Sequence, residues 1–189
     1  VITIMARAAE IKGSSWAVCI GGFSCAAGDV NRLISGLDGV VPDRMFQLFD
    51  ADMVAGWEHL YMAAVNAVKA YEAGAAVSKS LPVEVLLYAS CSDQIKKAIL
   101  TMGVTASTGK LALVVMAPSK ILAEEAYRRA ARLLGVEDDG VLDVTDEKFE
   151  RLKSAYGIGD GAIEAVGGDR LKALTSLIVE RGALSLLRR

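Results

Sequence analysis

At 189 residues the chain can bury one substantial core but is too short for two ordinary domains. Its 21 Lys and Arg against 23 Asp and Glu leave a formal charge of −2. That excludes nucleic-acid binding by bulk charge, so a polyanion would have to be held by a local patch. A 53% hydrophobic and 23% charged composition excludes disorder, and a mean hydropathy of +0.37 points to apolar surface left for a partner protein.

Residues 1–14 read as an N-terminal extension or a first strand, and Trp16 to Phe23 as a buried strand. The uncharged stretch Gly13 to Gly28 containing it falls short of the ~20 apolar residues of a membrane span. Arg7 and Lys12 before it and Cys25-Ala26-Ala27 after it have the outline of a secretory signal, but Glu10 and the poor apolar density argue against export. Asp29 to Leu37 predicts a short helix or turn, Met45 to Phe49 a strand, and Ala51 to Ala73 the strongest helix, with Trp57, Leu60, Tyr61, Ala64, Val68 and Tyr71 at spacings of three and four. Gly74 suits its C-cap. After Pro82, Val83 to Ala89 reads as a buried strand; Ser90 or Ser92 then caps a helix whose expected core face is Ile95, Ala98, Ile99 and Met102.

Leu111 to Ala117 predicts a strand leading through Ser119, as N-cap, into a helix that reaches Leu134. Val141 to Val144 reads as a short strand. Thr145 caps a helix carrying Phe149, Leu152 and Tyr156, and Gly157, Gly159 and Gly161 break the chain before a last helix from Asp169 to about Leu187. The alternation of strands and helices favours an α/β layered fold, with 15–187 as a single domain. Leu171, Leu174, Leu177, Ile178, Val179, Leu184, Leu186 and Leu187 cover well over half of the last helical wheel. Either the helix is deeply buried, or a second face of it, through Leu171, Leu174, Leu177, Ile178 and Leu184, meets another protein.

Chemistry-bearing motifs are sparse. Gly103 to Lys110 is not a phosphate loop: five residues separate its glycines, Leu111 follows the lysine, and it enters a strand instead of a helix. Gly157-x-Gly-x-Gly161 follows no strand and is no dinucleotide fingerprint. Cys19, Cys25 and Cys91 form no CxxC pair, which fits a reducing, cytoplasmic interior. One histidine, His59, rules out a metal site with several His ligands, and neither a metal nor another cofactor is expected. Cys91 with His59 is the one Cys–His pair available for a small-molecule enzyme, and nothing in their spacing forces contact.

The binding signal is better. The Ser90 to Ser92 turn precedes a helix whose first turns hold Gln94, Lys96 and Lys97, and Lys79 lies upstream. Free N–H groups at a helix start, with lysines nearby, suit a phosphate, although Asp93 opposes one. The alternative is an ordinary capped helix with solvated lysines. Arg128, Arg129 and Arg132 fit the wet face of another helix.

Three blocks in this order carry a family resemblance: Phe46-Gln47-Leu48-Phe49-Asp50-Ala51-Asp52; Glu58-His59-Leu60-Tyr61-Met62-Ala63-Ala64; and Glu84 to Ser90 followed by Gln94 to Ile99 and Met102-Gly103. So spaced, they resemble the small subunit of the KEOPS (EKC) complex, the TPRKB or PRPK-binding protein family, in its archaeal form. The resemblance is dense from 46 to 103 and looser towards 15 and 187. It implies a central mixed sheet flanked by helices and no catalytic activity. It also implies docking on the kinase-like ATPase subunit and a grip on the single-stranded 3′ CCA end of tRNA, with Lys79, Ser90, Ser92, Gln94, Lys96, Lys97 and His59 as RNA-binding candidates. Transfer of the threonylcarbamoyl group would belong to a different, metal-containing subunit, an indirect partner. A purely regulatory module that activates the kinase-like subunit is the alternative. Relatives often carry Gly, a polar residue and a basic residue where this chain has Cys91, Ser92 and Asp93; the acid in the last place would weaken a phosphate contact.

Overall fold

The computed structural model describes residues 7–24 and 28–185; Cys25, Leu186 and Leu187 lie outside them. The chain holds both strands and helices, as expected of an α/β fold, but the alternation is only partial, with three successive helices within 57–102 and three more within 146–185. They gather into two compact units, one drawn from 1–51 and 103–142 and the other from 52–102 and 143–189. Each core takes side chains from both of its chain stretches, so neither unit is a continuous segment.

The first unit holds the sheet: β1 (Arg7–Glu10), β2 (Ala17–Ser24), β3 (Phe46–Asp50), β4 (Lys110–Ala117) and the two-residue β5 (Val136–Glu137), with α1 (Val30–Val40) and α5 (Lys120–Leu134). The strand order is β1-β2-β4-β3, with β5 pairing the end of β2. Every pairing is antiparallel, where a mixed sheet was expected. In β2 and β4 residues of both parities are buried, so their near-continuous apolar runs resemble those of a parallel sheet without being one. Ala17, Cys19, Phe23, Leu111, Leu113 and Val115 pack with Ala123, Tyr127 and Ala130 of α5. On the other face, a Cβ at Gly22 would lie 2.6 Å from both the Asp138 carbonyl oxygen and Val141 Cγ2. Only glycine admits that approach. Residues 139–142 form a 3-10 turn over this position, not the strand read at 141–144.

The second unit is helical: α2 (Trp57–Glu72), α3 (Leu81–Ala89), α4 (Ile95–Met102), α6 (Asp146–Ala155), α7 (Asp160–Val166) and α8 (Arg170–Ser185). Thr145 caps α6 by accepting from the Lys148 amide. Asp169 caps α8 through the Leu171 and Lys172 amides. α7 occupies part of the stretch read as a glycine-broken loop. The larger correction is α3, read as a strand at 83–89. Pro82 stands in its first turn, where the missing N–H costs nothing. Leu81, Val85, Leu86, Leu87 and Ala89 are buried round the whole helix, so no helical period showed.

Candidate functional site

The α3–α4 turn is fixed by its own backbone and by three neighbouring helices. The Ser90 amide donates to the Leu86 carbonyl and the Ser92 amide to that of Leu87, at 2.9 and 3.0 Å. Cys91 between them takes φ +53°, a left-handed conformation that glycine adopts more readily than other residues. Ser90 and Ser92 are both buried. Ser90 Oγ donates to the Leu87 carbonyl; Ser92 Oγ accepts from the Gln94 amide and donates to the Gln94 carbonyl. That carbonyl accepts from the Ala98 amide and starts α4.

His59 lies beneath this turn, 2% exposed. Its Nδ1 accepts from the Ala55 amide at 3.0 Å, so Nε2 carries the proton and donates to the Ala89 carbonyl at 2.8 Å. Burial lowers its pKa from 6.5 to about 4, against the opposing pull of the Ala89 bond and with help from the Lys148 charge. Tyr156 Oη lies 3.2 Å from the same carbonyl and 3.0 Å from that of Met53, and burial raises its pKa well above the usual phenol value. Both groups are neutral fasteners at physiological pH.

The seven RNA-binding candidates therefore separate. Gln94, Lys96 and Lys97 are exposed together at the start of α4, and neither lysine forms an ion pair among the described residues. Ser90 and Ser92 build the turn from inside. His59 lies beneath the turn and is sealed there, with both ring nitrogens engaged by backbone groups. Lys79 precedes α3, whose nine residues put ~13 Å between its two ends; the structure does not bring it to the turn.

The five candidates on α8 separate too. Leu174 and Ile178 are fully buried in the core with Phe149, Leu152 and Ile163, and Leu171 and Leu177 are half-buried against it. Leu184 remains 46% exposed. A buried leucine cannot meet a partner, so the broad apolar wheel mostly reflects deep packing.

The apolar surface missed by periodicity is on α4. Ala98 and Met102 face inward, while Ile95, Ile99 and Leu100, the first two expected in the core, are 42%, 52% and 79% exposed. An apolar ridge thus lies beside Lys96 and Lys97. The signal was present in the i, i+4, i+5 spacing, but sequence alone could not say which side of so short a helix is wet.

A cysteine enzyme gains nothing from this geometry. The Cys91 thiol donates to the Ile178 carbonyl on α8 at 3.5 Å, and burial pushes its pKa up to about 12. It is protonated at neutral pH, and both His59 nitrogens serve backbone groups. Among the described residues no cluster of three or more His, Cys, Asp or Glu is arranged to hold a metal, and no helix is long and apolar enough to cross a membrane.

Compared with known families, residues 30–185 match the model of the kinase binding protein CGI-121. The chain belongs to the CGI-121 family. The match bears out the resemblance to the PRPK-binding proteins, and it spans the α3–α4 turn, α4 and α8. No curated protein matches the chain. Membership in CGI-121 makes a kinase the partner class and gives the fixed turn and exposed α4 ridge a setting in a binding protein.

Proposed function

We propose that this CGI-121 protein is a non-catalytic subunit of a KEOPS complex that binds the kinase-like ATPase subunit and recruits tRNA by its 3′ CCA end for threonylcarbamoyl transfer, carried out in the cytoplasm by another, metal-containing subunit. The observation that carries the RNA half is the α4 surface. Two lysines and Gln94 stand beside exposed Ile95 and Ile99, next to a turn held by backbone and side-chain hydrogen bonds. Unpaired RNA ends are recognised by stacking or apolar contact, base-edge hydrogen bonds and a few phosphate contacts, so a small patch suffices on a chain of net charge −2.

Charge reversal tests it. Lys96→Glu with Lys97→Glu is expected to weaken tRNA binding about tenfold or more and to flatten its salt dependence by up to about two counterions. Unchanged affinity and salt slope in a variant that still captures its kinase partner would remove the patch from RNA binding.

The exposed Leu100 and Leu184 favour a second reading, a regulatory module that works only through protein contact. Leu100→Asp separates the two: loss of kinase binding with tRNA binding intact supports this reading for α4.

A further inference from the structure

On the reading that the α3–α4 turn presents an RNA end, we infer that α8 sets the shape of that turn, with Gly182 and Cys91 as its positioning residues. Gly182 lies where α8 crosses the end of α3. A Cβ there would stand 2.7 Å from the Tyr88 carbonyl oxygen and 3.7 Å from Cys91 Sγ. The first distance is a clash with backbone, which no side-chain rotation relieves, so only glycine lets α8 come this close. One turn earlier on α8, the Ile178 carbonyl accepts the Cys91 thiol. Thus α8 touches the turn twice, once by close packing and once by a hydrogen bond.

Cys91 is the torsion that matters. At φ +53° it reverses the chain so that the Ser92 amide reaches the Leu87 carbonyl, and Ser92 Oγ then receives the Gln94 amide that begins α4. A non-glycine residue disfavours this conformation, and the thiol bond to α8 offsets part of that cost. From beneath, the Ala89 carbonyl is held by His59 and lies within reach of Tyr156. With α3 fastened there and α8 closed over Tyr88, one backbone torsion fixes where Lys96 and Lys97 point relative to α3.

The test compares Gly182→Ala, Cys91→Val and Cys91→Gly with the unaltered full-length protein. Two quantities are read: the backbone amide chemical shifts of Ser90, Ser92 and Gln94 without RNA, and affinity for a tRNA transcript ending in CCA. Valine cannot adopt the left-handed torsion and alanine cannot fit at 182, so both variants are expected to move these amides and weaken tRNA binding by about tenfold. Glycine at 91 adopts the torsion freely and is expected to rescue affinity to within about threefold. Turn amides unmoved in both Gly182→Ala and Cys91→Val would overturn the inference. Amides that move while tRNA affinity stays unchanged would uphold the hold of α8 on the turn and overturn the RNA reading. If either variant fails to fold, Cys91→Ala, which loses only the thiol, decides: displaced turn amides support the inference and a native-like spectrum refutes it.

Discussion

Burial of His59 should make the protein's stability fall with pH in one acid window. The ring is neutral in the fold, with Nδ1 accepting from Ala55 and Nε2–H donating to Ala89. Its pKa falls from 6.5 in the open chain to about 4 in the folded one. The unfolded state therefore binds more protons between those values, and stability declines as pH drops through 6.5 and levels off below 4. The 2.5-unit difference converts at 1.36 kcal/mol per unit to a total of about 3 kcal/mol, of which about 2 kcal/mol is lost by pH 5. His59→Gln removes the titration. Because it leaves buried backbone groups imperfectly paired, it should cost about 2 kcal/mol at pH 7. Urea unfolding of both proteins at pH 7, 6 and 5 should show the gap closing to nearly zero at pH 5; carboxylates titrate alike in both and cancel in the difference. A gap constant from pH 7 to 5 would refute the assignment of a sealed, neutral imidazole.

Gly22→Ala forces a Cβ to within 2.6 Å of the Asp138 carbonyl oxygen and Val141 Cγ2; thermal unfolding should show a loss of about 2 kcal/mol or more, from strain in a packed core. Tyr156→Phe removes the hydroxyl that lies near the Met53 and Ala89 carbonyls and should cost about 1 kcal/mol by urea titration. It should also weaken tRNA binding in parallel, because the same carbonyl anchors the turn. Glu84→Ala frees the Val77 and Ser78 amides, which donate to Oε2 at 3.1 and 2.8 Å; faster hydrogen exchange at those two amides is the expected mark.

What the sequence made legible was local. The strand at 16–23, the buried Leu60, Ala64 and Val68 of the α2 stripe, the caps Ser119 and Thr145 and the left-handed Gly74 each depend on neighbours in the chain and appear where expected, whereas Tyr71 at the end of that stripe is exposed. α3 was illegible because burial on all sides erases the 3.6-residue period, leaving a Val- and Leu-rich run that reads as a strand. Antiparallel pairing was hidden for a related reason, since both faces of β2 and β4 are covered. At the candidate site, the position of the turn and of Gln94, Lys96 and Lys97 was readable. The division into exposed and buried residues was not. Ser90 and Ser92 are sequence neighbours of an exposed surface and His59 lies on a distant helix, yet all three are turned inward by partners such as Ala55, Ala89 and Leu87. Leu174 and Ile178 likewise look available on a helical wheel, and only the core of α6, α7 and α8 shows them occupied.

The most direct measurement is equilibrium binding of the purified chain to one tRNA prepared with and without its three terminal nucleotides. If this protein grips the RNA end, removing the tail abolishes most of the affinity, and adding the kinase partner strengthens binding of the tailed form. Equal affinity for the two forms would contradict the account.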